Sequence, residues 1–280
     1  MNQRNKTLIA GPWVGEFGWE LFAWQGYLRT LSAEFDKVVC VSVSGHEMLY
    51  EDFCHEFISH NIKRSGPSDS FFMHNYDFSG DDVHYEAGIN EEVVQLFPLR
   101  IGVPPLTHFV ERVPVSNLGN ISPTYIAYGN GDKNDMDLIF HARNRKDIRP
   151  GDNWDLQNWE KISKYFINLG YNVGCIGSVE ESHYVKGSKD LRGLNLREVS
   201  DYLSSAKAIL GPSSGPMHLA SLCKCPQVVW SFDNNKRRYQ INWNPHKVPV
   251  SFFSKYKWHP PVEYVVEKTL TLLEKIKNND

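Results

Sequence analysis

The chain has 280 residues, with 30 lysines and arginines against 33 aspartates and glutamates and a formal net charge of −3. Its 41% apolar, 13% aromatic and 22% charged content lies in the globular range, which excludes wholesale disorder, collagen-like repeats and low-complexity scaffolds. A pI near 6.4 also removes the broad basic field of a sequence-independent nucleic-acid binder. No stretch approaches the ~18 apolar residues of a membrane span, and the first residues lack the apolar run of a signal peptide. Cys40, Cys54, Cys175, Cys223 and Cys225 are odd in number and lie mostly in apolar runs, which reads as reduced, buried thiols in a cytoplasmic protein.

In chain order, residues 6–11 form a short apolar run ended by glycine, the pattern of a buried strand. A glycine-rich loop follows, and then Leu21, Trp24, Leu28 and Leu31 recur at helical spacing. Residues 36–45 are a second, valine-rich buried strand. Residues 46–60 read as helix then strand, 65–82 as loop, and 91–99 as a short helix or strand. The proline-rich stretch 101–135 is the best linker in the chain. Beyond it, strands at 137–143, 171–178, 207–211 and 225–232 alternate with helices at 156–170, 196–206 and 215–224. That alternation specifies a doubly wound parallel sheet, and 262–277 adds an amphipathic terminal helix. The expected organisation is α/β, with two Rossmann-like domains facing across a cleft, 1–130 and 131–280. The terminal helix could pack back on the first.

Three places gather chemistry. In the first, an apolar strand runs into Gly211-Pro212-Ser213-Ser214-Gly215-Pro216 and a helix opens at once. Ser213 or Ser214 can cap that helix, and Pro216 suits its first turn. Its exposed N–H groups and positive dipole end form an anion site at the carboxyl edge of a sheet, with Met217 and His218 in the first turn. The plain alternative is an ordinary capped turn with a packed histidine. In the second, Glu16 and Glu20 sit in or just after the loop that follows the first strand, where a carboxylate can act as a general base. Glu20 equally suits a helix-dipole partner. In the third, Arg143, Arg145 and Arg149 follow a strand end, and guanidinium forks suit a pyrophosphate, with Arg143 nearest.

Other patterns carry less. Gly11, Gly15 and Gly18 do not make the dinucleotide fingerprint. Asp135-Met136-Asp137 has the spacing of a metal–diphosphate holder but precedes its strand, away from the expected cleft. His55-Glu56 with His60 is one residue too long for a helical zinc pair. No catalytic metal and no cofactor are expected.

Ser213-Ser214-Gly215-Pro216-Met217-His218-Leu219-Ala220 resembles the D-[ST]-G-P-x-H-x-A donor-phosphate motif of heptosyltransferases, the GT-B enzymes of glycosyltransferase family 9. The resemblance covers about 100 residues of the second half, and Ser213 stands where the family has an acidic residue. It implies that Ser214, Gly215 and His218 hold a donor diphosphate. The family's N-terminal glycine–aspartate pair is loosely similar to Gly18-Trp19-Glu20, which implies Glu20 as the acceptor-activating base. The implied activity is metal-independent, inverting transfer of a sugar from a nucleotide-diphosphate sugar to a hydroxyl acceptor, a glycan or a modified DNA base. An epimerase of the same fold and a non-catalytic nucleotide- or sugar-binding protein are the alternatives. Trp13, Trp19 and Trp24, with Gly18 among them, are expected to wall the sugar site, the plain alternative being that an aromatic helix stripe is core. Trp154, Trp159, Trp230 and Trp243, which also follow strand ends, are expected on the same side, and Trp258 apart from them.

Overall fold

The computed structural model of the chain describes residues 7–61, 107–110, 122–131, 135–147 and 149–278, the strand at 107–110 in its backbone alone. The loop read over 65–82, the undecided element at 91–99 and most of the stretch 101–135 lie outside the described residues. The chain divides into two compact units, Met1–Tyr125 and Ile126–Asp280. No helix among the described residues is long and apolar enough to cross a membrane.

The first unit is built on a four-stranded parallel sheet ordered β3-β2-β1-β4: β1 (Thr7–Ala10), β2 (Lys37–Val43), β3 (Glu56–His60) and β4 (Thr107–Val110). The apolar residues of β1 and β2 are almost wholly buried, as continuous apolar strands of a parallel sheet require. Between them, α1 (Phe17–Trp19) passes through a π-helical segment, Glu20–Trp24, into α2 (Gln25–Ser32). A π segment widens the helix locally, and here all five of its residues, Glu20 included, are buried. Leu21, Trp24, Leu28 and Leu31, the helical stripe of the sequence, all face the core. The turn into this helix needs Gly11: its φ is +112°, and a Cβ there would collide with the carbonyl oxygen of Val41. Arg29 of α2 is buried and bidentate on Asp52, with Nε at 2.6 Å and Nη2 at 2.9 Å, and it also donates to the Leu49 and Thr124 carbonyls. That pairing satisfies a charge that would otherwise be costly to bury.

The second unit carries six parallel strands in the order β10-β9-β8-β5-β6-β7. They are β5 (Leu138–Phe140), β6 (Val173–Cys175), β7 (Lys189–Asp190), β8 (Ala208–Pro212), β9 (Gln227–Trp230) and β10 (Val250–Phe253). The helices are α3 (Leu156–Asn168), α4 (Leu196–Ser205), α5 (Gly215–Leu222) and α6 (Val262–Lys277). The four strands expected from sequence are present, and β7 and β10 extend the sheet at its two edges. The terminal helix α6 buries Val265, Val266 and Leu272 in this unit's own core, against β9, β10 and α3. Its apolar stripe is thereby used within the unit.

Candidate active site

In the second sheet the chain moves one way from β5 through α3 to β6 and the other way from β8 through α5 to β9. The loops leaving the carboxyl ends of these neighbours therefore diverge, and such a switch point opens a crevice. The 141–147 segment and the 213–218 turn both start there.

The turn is organised differently from the capping expected of it. Ser214 occupies the N-cap position, yet neither serine caps the helix through its side chain. The Ser214 hydroxyl turns inward to Nδ1 of His141, 2.8 Å away, while its backbone N–H donates to the Tyr239 hydroxyl at 3.1 Å. Tyr239 in turn donates to Oγ of Ser213, also at 3.1 Å. The Ser213 hydroxyl is half-buried and already accepts from Tyr239, so its own proton can be given outward. Ser214, assigned a phosphate-holding role by resemblance, is spent on His141, and Ser213 is the hydroxyl at the mouth of the turn. Gly215 and Pro216 are half-buried at the helix start, and Met217 is fully buried behind them, its sulfur against Gly211.

His218 is buried with its ring stacked on Tyr239 at 4.4 Å and met edge-on by Trp243 at 4.6 Å. Burial, reinforced by the Arg238 charge, holds it well below the usual histidine range, so the ring is neutral at pH 7. His141 is likewise neutral, pushed down to about 3 by burial and then by Arg143 and Arg145. Neutral imidazoles can donate through N–H without adding charge.

Arg143 lies beside the turn, but its fork is not open to a ligand. It is 3% exposed; Nη1 donates to the Ser213 carbonyl at 3.1 Å and Nη2 to the Asp152 carbonyl, and Trp258 covers the guanidinium at 4.9 Å. Burial lowers its pKa to about 10, which leaves it charged at neutral pH. Arg143 therefore braces the turn and contributes a buried positive charge, while Arg145 is half-buried and Arg149 exposed at the same rim.

In the first unit the two glutamates part company. Glu16 is half-buried at the N-cap of α1 and caps nothing with its side chain. Glu20, expected to face an acceptor, is completely buried, and both its oxygens are occupied. Gly18 is buried and Trp19 half-buried next to it.

The tryptophan wall is the largest correction. Trp13 is 1% exposed and packs on Trp24 at 5.4 Å inside the first unit, its backbone carbonyl bonded by the His60 ring. Trp154, Trp159 and Trp230 pack on one another at 4.9–5.6 Å in the second core. Trp243 and Trp258, by contrast, touch the site residues His218 and Arg143. Asp137, the inner half of the D-x-D pattern, is paired with Lys207 at 2.7 Å and accepts from the Asn172 N–H, at the amino end of β5.

No protein-family model matches the chain, and no curated protein does. Solved structures do resemble it. A glycosyl transferase family 9 protein from Veillonella parvula superposes with a TM-score of 0.60 at 15% identity, covering 98% of this chain and 99% of that one. The E. coli ADP-heptose LPS heptosyltransferase II gives 0.59 at 14% identity, with 97% and 99% covered. E. coli heptosyltransferase WaaC, described with ADP, gives 0.61 at 12% identity, with 95% and 99% covered. The chain has the GT-B-like α/β fold, and the structures it resembles include a glycosyl transferase family 9 protein and two heptosyltransferases.

Proposed function

We propose that this protein transfers a sugar from a nucleotide-diphosphate sugar to a hydroxyl acceptor. The observation that carries this reading is the Ser213–His218 turn at the β5/β8 switch point. A helix N-terminus, an outward serine hydroxyl, a neutral histidine and a braced arginine converge there, a set suited to a departing diphosphate. The family 9 likeness supports a nucleotide sugar as donor and a glycan as acceptor. One similar structure is described with ADP, so adenine nucleotides are the first donors to try.

In this reading the second unit holds the donor diphosphate at the 213–218 turn. The acceptor oxygen attacks the anomeric carbon as the bond to the diphosphate breaks, inverting the configuration. The fixed positive charge of Arg143 and the α5 dipole offset the negative charge that develops on the leaving group. The protein should be incubated with a panel of nucleotide-diphosphate sugars, with and without candidate glycans, and the products followed by NMR. Acceptor-dependent release of nucleoside diphosphate with an inverted anomeric linkage supports the reading. Acceptor-independent isomerisation of the sugar would indicate an epimerase, and binding without any turnover a non-catalytic protein.

A further inference from the structure

Two cysteines meet where the pairing of β2 with β3 begins. Cys40 lies in β2, opposite Phe57 of β3, and is wholly buried. Cys54 follows the turn that leads into β3, its N–H bonded to the Tyr50 carbonyl at 2.8 Å, and it is half-buried. Its sulfur lies 2.8 Å from the Glu56 carbonyl oxygen and 3.7 Å from that of Val38, two residues before Cys40 on the same strand. In that position it takes a hydrogen bond from the Cys40 thiol.

The bond acts oppositely on its two ends. It draws the Cys54 thiol down to about 7, against a burial that works to raise it, and it pushes Cys40 well up, with burial adding to the rise. Near neutral pH a large fraction of Cys54 is therefore thiolate while Cys40 keeps its proton. A partly exposed thiolate with a second thiol in contact is the arrangement of a redox-sensing cysteine beside its resolving partner. The remaining cysteines lack it. Cys175, Cys223 and Cys225 are buried, and burial pushes Cys223 up to about 12 and Cys225 well above the ordinary thiol range.

We infer that Cys54 and Cys40 are an oxidative modification site, a pair that closes to an intrachain disulfide when the protein meets a peroxide. The inference is independent of the transferase reading. The Cys54 sulfur attacks one oxygen of hydrogen peroxide, the O–O bond breaks, and the departing hydroxide takes up a proton and leaves as water. Cys54 is then a sulfenic acid. Its negative charge is gone, and with it the attraction that held the Cys40 proton. The Cys40 sulfur attacks the Cys54 sulfur as the S–O bond breaks, and the Cys40 proton leaves with the hydroxyl as a second water. Two thiols and one peroxide give one disulfide and two waters, each sulfur losing one electron and the peroxide gaining both. The bridge fastens β2 to the segment just before β3.

The test treats the reduced, folded full chain with hydrogen peroxide and follows it by intact mass and peptide mapping. The wild type should lose the mass of two hydrogens, yield a peptide pair joined through Cys40 and Cys54, and regain its mass in dithiothreitol. Cys40→Ser should not lose that mass, and its Cys54 should instead be captured by dimedone as the sulfenic acid. Cys54→Ser should show neither the loss nor the capture. Should Cys40→Ser fail to fold, Cys40→Ala replaces it, and the wild-type mapping stands without either variant. A wild type that keeps all its thiols, a mass loss that persists in Cys54→Ser, or a bridge mapped to Cys223 and Cys225 would overturn the assignment.

Discussion

The Ser214 hydroxyl lies 2.8 Å from Nδ1 of His141, an imidazole that burial keeps neutral. The motif's second serine is thereby committed to the interior, and the relay from the Ser214 N–H through Tyr239 delivers polarisation to Ser213 instead. The two serines should therefore behave differently. On the proposed reading Ser213 donates to a charged phosphate, so Ser213→Ala should weaken nucleoside-diphosphate binding by about 10-fold or more, with little change in stability. Ser214→Ala orphans a buried histidine nitrogen and should cost about 1–3 kcal/mol of stability, with a smaller direct effect on binding. Calorimetric titration and urea unfolding of both variants separate these outcomes.

The buried histidines make stability depend on pH. His141, at about 3, and His218, well below 6.5, stay neutral in the folded state, whereas the unfolded chain protonates them near 6.5. The unfolded state then binds more protons, so stability is fully present above about pH 6.5 and lost as the pH falls below it. Each histidine contributes up to about 1.4 kcal/mol per pH unit over that window. Glu20, with its lowered pKa, acts in the same direction only below its ordinary 4.5. The urea midpoint should fall steadily between pH 7 and 4, less steeply in His141→Asn. A flat midpoint would contradict the buried, neutral assignment.

The tryptophans of the second core should matter for stability rather than for substrate. Trp159 is wholly buried against Trp154, Trp230 and Phe140, and its truncation to alanine should cost about 3–5 kcal/mol. Trp243→Ala, by contrast, removes the edge contact to His218 and should change nucleotide affinity at smaller cost to folding. Thermal unfolding paired with a nucleotide titration would distinguish the two.

Donor turnover should survive EDTA. The carboxylate pair with metal-holding spacing is already engaged, Asp137 with Lys207 and Asp135 with Lys189, and it lies at the opposite edge of the sheet from the 213–218 turn. Loss of turnover in EDTA with recovery on added magnesium would show that the diphosphate is neutralised by a cation and not by this chain's own groups.

The strand–helix alternation of the second half was legible because parallel strands buried on both faces read as continuous apolar runs. Two edge strands escaped it: Lys189–Asp190 is too short to show a pattern, and Val250–Phe253 follows Pro249 with a serine inside it. Missing the latter is why Trp258 appeared remote. It follows β10 and lies over Arg143. The phosphate-type turn could be read from Gly211 to His218, but the direction of each serine could not, because Tyr239 and His141 come from distant segments. The tryptophans misled because a residue just past a strand end can point into the core as readily as out of it. For the burial of Glu20 one signal was available, the lone serine in the valine run of β2, whose hydroxyl donates to the buried carboxylate.

The claim that the Ser213–His218 turn holds a donor diphosphate is tested most directly by thermal unfolding against ADP, UDP, GDP and CDP, in wild type and in Ser213→Ala. One diphosphate should stabilise the wild type by about 2.7 kcal/mol at ~100 times its dissociation constant and stabilise the variant less at the same concentration. No stabilisation by any of the four, or equal stabilisation of the variant, would contradict it.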